Sequence, residues 1–288
     1  MARMLCVIIG FLITLSGCSQ PTPEIPATMV TYPAQNPDTY DPGPGWSLTW
    51  EDNFDGTRLD PGKWTRQVMP EPFNEEWQSY GDDPANSYVE DGYLFIKAIH
   101  HGDRHGDKQY TSARLNTAGK AEWQYGKFAA RIQLPHGAGV WPAFWMLGAN
   151  IDENGGDTPW PMSGEIDIIE LYGSKDDGVV EANIHYDDNG HTQMGAVPYR
   201  KAEGRFADAF HVFELEWNAR EITWRVDGET FHRTPIDRPE MSEFHQPFFI
   251  LLNLAIGGTW AGRPDETTPF PSLMVVDWVR VYQPAPPG

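Results

Sequence analysis

The sequence GEIDIIELYG, from Gly164 to Gly173, sets three carboxylates among isoleucines that are typical of a buried β-strand. Side chains alternate between the two faces of a strand, so Glu165 and Asp167 are expected on one face. Glu170 follows Glu165 by an odd number of residues, and a regular strand would point it to the opposite face. The stretch is therefore either a half-exposed strand with ordinary surface acids or a bent strand that brings three acids together.

A β-bulge within residues 168–170 would restore the parity, because a bulge adds one residue to its strand. Three acids on one face would then suit either a hard cation or the hydrolysis of a glycosidic bond, which requires a pair of carboxylates. The retaining form of that reaction needs carboxyls about 5–5.5 Å apart, whereas residues four strand positions apart are separated by about 13 Å at Cα. The sheet must therefore curve, with the two glutamates leaning inward.

Tryptophans close to this strand favour a carbohydrate site. Trp141 and Trp145 have the same parity in WPAFWMLG, residues 141–148, and Trp160 lies just ahead of the acidic strand. Tryptophan rings can stack on the apolar faces of sugars. Aromatic rings and acids on one concave face would form a sugar cleft, although a large β core could also take up many of the tryptophans.

Short alternating runs separated by turn residues continue along the chain beyond this strand. Their spacing and their aromatic and β-branched content predict an all-β sandwich or barrel without a long helix. The runs are YLFIKAI (93–99), YGKFAARIQL (125–134), VVEANIHY (179–186), FHVFELEW (210–217), EITWRVDG (221–228), PFFILLNLAI (247–256) and MVVDWVRVY (274–282). Asp227-Gly228, between two such runs, predicts a hairpin.

The chain of 288 residues has a formal net charge of −20, which limits its partners. We expect no nucleic acid partner, because phosphate binding needs clustered lysine and arginine. A strongly anionic polysaccharide is disfavoured for the same reason. The length fits one large domain with tails, and we expect a monomer.

Residues 1–17 are typical of a lipoprotein-type signal peptide. Arg3 precedes an apolar run, and the ending LSGC resembles a bacterial lipoprotein box, which implies lipid attachment to Cys18. The run is too short to cross a membrane as a mature helix, and a plain signal peptide is the alternative. Proline recurs through residues 18–45 and predicts a semi-rigid tether, so the folded domain is expected at residues 46–288. The protein is thus predicted to be exported and lipid-anchored to a bacterial membrane, at the outer membrane, cell surface or periplasm.

GEIDIIE resembles the active-site strand of glycoside hydrolase family 16 in its bulged form. The resemblance extends over nearly the whole domain, through residues 110–148, 210–228 and 247–283. Within that family, WPAFWMLG, the bulged strand and NLAIGGTW are most similar to the laminarinase-like endo-β-1,3-glucanases. This resemblance implies a β-jelly-roll sandwich of the concanavalin-like kind, with a substrate cleft on its concave face.

The resemblance also implies roles for individual residues. Glu165 would be the nucleophile, Glu170 the general acid and base, and Asp167 would tune their protonation. No cofactor is implied for catalysis. Eight further residues would contact substrate: Trp141, Trp145, Trp160, His185, Asn74, Asn86, Arg114 and Trp260. Core or purely structural roles remain open for His185, Trp141, Trp145, Arg114 and Trp260.

A structural Ca²⁺ is a further implication of the resemblance. The carboxylate of Asp277 and the backbone oxygens of Gly92 and Asn53 match the family's ligands, and Ca²⁺ prefers such mixed oxygen donors. Asp277 as an ordinary turn or salt-bridge acid is the alternative.

The sequence therefore predicts a retaining, endo-acting hydrolase of β-1,3-glucan. Three alternatives remain: a hydrolase of another β-glucan or an algal galactan, a transglycosylase on the same fold, and a non-catalytic sugar-binding module. The presence of both Glu165 and Glu170 argues against the binding module, and the bulged spacing argues against enzymes of mixed-linkage glucan.

Overall fold

We describe the protein from a computed structural model, in which residues 39–102 and 108–286 are described. The predicted signal peptide, Cys18 and most of the predicted tether lie outside these residues, so the predictions made for them remain predictions. Across the described residues the chain forms β1 Trp46–Asp52, β2 Thr65–Arg66, β3 Gln78–Tyr80, β4 Ser87–Glu90, β5 Tyr93–His100, β6 Tyr110–Ser112, β7 Arg114–Asn116, β8 Gly126–Gln133, β9 Val140–Gly148, β10 Glu165–Glu170, β11 Val179–Asp187, β12 His191–Gln193, β13 Val197–Arg200, β14 His211–Trp217, β15 Glu221–Val226, β16 Glu229–Pro235, β17 Phe248–Ile256 and β18 Ser272–Pro284.

Helical structure in the described residues is confined to short turns. Two 3-10 turns span Asp152–Asn154 and Pro239–His245, and one α-helical turn, α1, spans Gly258–Ala261. None of the helices that the structure describes is long and apolar enough to cross a membrane. For residues 39–102 and 108–286, the sequence-based prediction of an all-β fold without a long helix is confirmed.

The strands form two sheets that share one hydrophobic core. The ten-stranded sheet has the order β16-β15-β14-β8-β18-β5-β6-β3, with β1 also paired to β18 and β4 to β5. The eight-stranded sheet has the order β12-β11-β10-β9-β17-β7-β2, with β13 also paired to β11. Buried side chains from both sheets belong to a single cluster, which makes the molecule a β-sandwich, as predicted.

Central strands of the eight-stranded sheet are buried on both faces. All nine residues of β17, FFILLNLAI, are buried, because alternate side chains enter the core and the rest are covered by the loops over the opposite face. Strand β9 pairs with β17 along its whole length and with β10 on its other side. The acidic strand thus lies beside the most buried part of the sheet.

The predicted hairpin at Asp227-Gly228 is present. These two residues connect β15 to β16, with φ of 49° at Asp227 and 81° at Gly228. Two successive left-handed residues match the right-handed twist of the flanking strands. Asp227 also accepts hydrogen bonds from His211 and from the backbone of Val212, which ties the turn to β14.

Residues ahead of β1 already contact the ten-stranded sheet. The hydroxyl of Tyr40 donates a hydrogen bond to Glu214 at 2.5 Å, and its ring packs 5.2 Å from that of Trp278. Lys127 donates to the carbonyl oxygen of Pro42 at 2.7 Å. Tyr40 and Pro42, in the described part of the predicted tether, are therefore bonded to the sandwich.

Candidate active site

The acidic strand β10 contains the predicted β-bulge. Opposite β11, Asp167 pairs with Asn183 and Glu170 pairs with Glu181, so three steps along β10 match two steps along β11. The register with β9 shifts at the same place, between Asp167 and Ile169. Paired residues share a face, so the extra residue turns Glu170 back to the side of Asp167. The bulge predicted from the spacing of the acids is confirmed. We call the side of the eight-stranded sheet that carries the three acids the site face.

Glu165 and Asp167 form one half of the acidic cluster together with His185 on β11. The His185 Nε2 atom lies 3.4 Å from Asp167 Oδ2 and 3.7 Å from Glu165 Oε1. The indole of Trp160 donates to Glu165 Oε2 at 3.0 Å. Asp167 is only 2% exposed, so its carboxyl is enclosed by its neighbours.

Glu170 forms the other half of the cluster. Trp141 donates its indole N–H to Glu170 Oε1 at 2.8 Å, and the Tyr172 hydroxyl donates to Oε2 at 2.9 Å. The rings of Trp141 and Tyr172 pack against each other at 5.2 Å. Each oxygen of the Glu170 carboxyl therefore has its own donor, which holds the group in one orientation.

Burial and mutual repulsion raise the proton affinity of all three acids. Burial and the adjacent charge of Asp167 raise the pKa of Glu165 to about 8. Burial and the charge of Glu170 raise the pKa of Asp167 well above its usual range. Burial also raises the pKa of Glu170, against the opposing hydrogen bonds from Trp141 and Tyr172. Three close, desolvated carboxyls cannot all ionise cheaply, so the cluster keeps protons at neutral pH.

The middle of the site face is a hydrogen-bonded layer on β9, β17 and β7. Trp145 donates its indole N–H to Asn253 at 2.6 Å, and Asn253 in turn donates to the hydroxyl of Tyr80 at 3.1 Å. The guanidinium of Arg114 stacks over the Trp145 ring at 4.9 Å and pairs with Glu153. Trp145 and Arg114 thus lie on the site face and pack against each other.

Trp141 lies beside the acids, but its surroundings differ from those of an open sugar platform. Only 7% of it is exposed, and it packs with Tyr80, Tyr172 and Ala255. Its direct contact is the hydrogen bond to Glu170. Trp160, in contrast, is 44% exposed and lies next to Glu165, to which its indole donates.

Asn74 and Trp260 lie on neighbouring segments at one end of the site face. The Asn74 carbonyl accepts hydrogen bonds from the backbone and hydroxyl of Thr259 in α1, and Trp260, in the same turn, is 50% exposed. Gly258 of this turn lies so close to Trp141 that a Cβ atom there would be 3.4 Å from its ring. The structure therefore places Asn74 and the turn that carries Trp260 beside Trp141, which holds Glu170.

The prediction of a sugar contact for Asn86 is not supported by its position. Asn86 is 3% exposed, and its amide donates to the carbonyl of Lys97 and to the hydroxyl of Thr111. Its donors are used to join the turn before β4 to β5 and β6. The amide N–H groups of Asn86 are therefore bonded to the protein itself.

The predicted calcium ligands lie on or beside strands of the ten-stranded sheet: Asp277 is on β18, Asn53 follows β1, and Gly92 lies in the turn between β4 and β5. Asp277, on β18, is buried and forms an ion pair with Arg131. The Asn53 side chain accepts from Arg280 and donates to Glu51, and Asn53 and Asp277 line the same cavity of about 880 Å³. These positions are compatible with a structural role, and they contribute nothing to the site face.

Several site residues were missed in the sequence. Tyr172 is two residues beyond Glu170, so the parity that places Glu170 on the site face could have identified it. His191 lies on β12, where its Nε2 atom is 2.8 Å from His185 Nδ1 and its ring is 4.5 Å from that of Trp160. Asn253 is likewise revealed only by strand pairing, because no local pattern marks it.

Comparison with known proteins agrees with this geometry. The sequence model described as glycosyl hydrolases family 16 matches residues 86–280. The chain is 40% identical over 263 residues to a beta-glucanase of Rhodothermus marinus, covering 85% of this chain and 88% of that protein. It is 38% identical over 239 residues to a glucan endo-1,3-beta-glucosidase of Cryptopygus antarcticus, covering 75% and 83% of the two chains.

A solved structure shares the fold over the same region. The catalytic domain of an endo-1,3-beta-glucanase (laminarinase) from Thermotoga petrophila superimposes with a TM-score of 0.72 at 39% identity, covering 84% of this chain and 99% of that one. The family match spans more than half of the sequence, and it includes the bulged strand that carries the three acids. The chain therefore belongs to glycoside hydrolase family 16 and is a glycoside hydrolase of the laminarinase-like kind.

Proposed function

We propose that the protein is a retaining endo-β-1,3-glucanase in which Glu165 is the nucleophile and Glu170 the general acid and base. The observation that carries the proposal is the bulge in β10, which puts both carboxyls on one face, each held by a tryptophan indole. The printed names of the relatives support the substrate class, since they describe a beta-glucanase, a glucan endo-1,3-beta-glucosidase and a laminarinase.

Glu165 attacks the anomeric carbon and forms the glycosyl-enzyme. It must be ionised to do so, although burial and the charge of Asp167 raise its pKa. Burial favours the protonated form of Asp167, and once Asp167 is protonated its charge no longer raises the pKa of Glu165. The hydrogen bond from Trp160 then stabilises the Glu165 carboxylate. Asp167 thus serves as the place where the cluster stores a proton while Glu165 reacts.

Glu170 donates a proton to the leaving oxygen and later removes one from the attacking water. Burial keeps the group protonated to a higher pH than an exposed glutamate, as an acid catalyst requires. The donors Trp141 and Tyr172 favour the ionised form that remains after the first proton transfer. Glu170 is therefore placed to exist in both protonation states during one cycle.

The proposal is tested by the products from wild-type enzyme. On laminarin we expect mixed oligosaccharides early in the reaction, as endo cleavage produces, and little release from agarose. NMR should show the β anomer as the first product, because two inversions at the anomeric carbon restore its configuration. An initial α anomer would exclude a glycosyl-enzyme on Glu165, and transfer products without free sugar would indicate a transglycosylase.

We further propose that Cys18 carries a lipid that attaches the enzyme to a membrane. The proposal rests on LSGC and on the proline-rich segment that follows it. Labelled palmitate should enter the wild-type protein in a bacterial host, whereas Cys18→Ala should take up none. Cys6→Ala, which changes the other cysteine of the chain, is the matched control and should be labelled like the wild type. Equal labelling of wild type and Cys18→Ala would rule out the anchor.

A structural Ca²⁺ at Asp277 is also proposed. The carboxylate of Asp277 is buried and pairs with Arg131, and Asn53 lines the same cavity. A ligand that binds only the folded state, present at 100 times its Kd, stabilises by about 2.7 kcal/mol. Chelation should therefore lower the Tm of the wild type by several degrees and leave that of Asp277→Ala unchanged. Identical melting with chelator and with excess Ca²⁺ would contradict the site.

A further inference from the structure

A side-chain hydrogen bond crosses the core to reach the acidic strand. The indole Nε1 of Trp224 donates to the backbone carbonyl oxygen of Asp167 at 2.9 Å. Trp224 lies on β15 of the ten-stranded sheet and is completely buried, whereas Asp167 belongs to the eight-stranded sheet. The bond therefore links the two layers of the sandwich directly beneath the carboxylates.

The carbonyl that accepts this bond belongs to the residue at the bulge. The pairing of β10 with both of its neighbours is interrupted immediately after Asp167. A bulge disrupts the ladder locally, and buried backbone carbonyls require a partner. An indole can only donate, so Trp224 is suited to such a carbonyl and could not serve the amide of the same peptide.

The position of the bulge decides which side chains face the substrate. A shift of one residue in register moves every following side chain to the other face of a strand. If the extra residue lay before Asp167, or if the bulge were lost, the set formed by Glu165, Asp167 and Glu170 would be divided between the site face and the core. The three acids therefore share the site face only if the extra residue lies between Asp167 and Glu170, and the pairing with β9 places it at Ile168.

From this geometry we propose that Trp224 is a positioning residue for catalysis. Its indole N–H holds the Asp167 carbonyl, fixes the bulge at Ile168 and so sets the spacing between the carboxyls of Glu165 and Glu170. Trp224 touches neither the substrate nor the reacting atoms. The inference rests on the proposed function, because it takes Glu165 and Glu170 as the reacting pair.

Trp217 supplies a matched control for this bond. It is also completely buried, and its Nε1 donates to a backbone carbonyl, that of Phe244, at 3.1 Å. Phe244 lies in the 3-10 turn Pro239–His245, outside the strand that bears the acids. Changing either tryptophan to phenylalanine removes one indole N–H and the same ring volume from the core, but only one change affects β10.

The test compares Trp224→Phe with Trp217→Phe. Both variants should show a similar fall in Tm, because each leaves one buried carbonyl without its donor. Only Trp224→Phe should lose kcat on laminarin, by about 10- to 100-fold, with KM within about twofold, because a displacement near 1 Å at a reacting group has an effect of this size. Wild-type kcat in Trp224→Phe, or an equal loss of kcat in Trp217→Phe, would overturn the positioning role.

A second replacement covers the case in which Trp224→Phe does not fold. Benzothienylalanine, incorporated at position 224, keeps the shape of the indole and exchanges its N–H for sulfur. The proposal predicts the same selective loss of kcat, and full activity in this protein would refute it. A wild-type enzyme that fails to cleave laminarin would refute the proposed function instead, so the two failures can be distinguished.

Discussion

Glu165→Ala is expected to lower the hydrolysis of laminarin by at least about 1,000-fold, which corresponds to a loss of about 4 kcal/mol of transition-state stabilisation. Without this carboxylate no glycosyl-enzyme can form, and Glu170 alone cannot attack the anomeric carbon. The cavity left by the side chain should admit azide. With an activated β-glucoside, azide should restore turnover and give a glycosyl azide of inverted, α configuration. The anomer is identified by NMR.

Glu181→Gln is the control for this variant. Glu181 pairs with Glu170 across β10 and β11, so it places a carboxylate on the same face, and it is held by Lys175. We expect it to keep at least about a tenth of the wild-type rate, because it belongs to neither half of the reacting pair. If Glu165→Ala kept more than about a tenth of the wild-type rate of hydrolysis, or if azide gave a β-configured product, the assignment of the nucleophile would be disproved.

Glu170→Ala is expected to separate two classes of substrate. Hydrolysis of laminarin should fall by at least about 1,000-fold, because the leaving sugar oxygen needs a proton. Aryl glucosides with a good leaving group should still form the glycosyl-enzyme, because their departure needs no acid. Azide should then react with that intermediate on the face vacated by the aglycone and give a β-glycosyl azide. The two glutamate variants are thus distinguished by opposite anomers of one product.

Tyr172→Phe provides the control that keeps the acid and changes only its environment. The hydrogen bond from Tyr172 lowers the pKa of Glu170, so its removal should raise that pKa. The acid would then stay protonated to a higher pH, and the alkaline limb of the kcat/KM profile should move upward. An unchanged profile, or equal losses on laminarin and on aryl glucosides in Glu170→Ala, would argue against Glu170 as the acid.

The sequence predicted those features that depend on local periodicity. The parity of Glu165, Asp167 and Glu170 required a bulge, and the strand register shows one. Alternating runs predicted the sandwich, and Asp227-Gly228 predicted its hairpin. These features follow from neighbouring residues alone, since the period of two and the turn conformation are local properties of the chain.

Features that depend on the packing of distant segments could not be predicted. The parity of Trp141 placed it on the site face, but its burial depends on α1 and Tyr172, which cover it from other parts of the chain. Asn86 matched a substrate loop by sequence, yet its amide nitrogen donates hydrogen bonds to Lys97 on β5 and Thr111 on β6. Trp224 lies 57 residues from Asp167 and reaches it across the core, where no periodic pattern records the contact.

The contact of Tyr40 with the ten-stranded sheet matters for anyone who produces this enzyme from a shortened chain. Truncation at Trp46, where the first strand begins, would look natural but would remove the hydroxyl bound to Glu214 and the Pro42 carbonyl bound to Lys127. Both charged groups are largely buried, so each lost partner would be replaced only in part by water. A shortened chain should therefore begin at or before residue 39, so that residues 39–45, which precede β1, are retained.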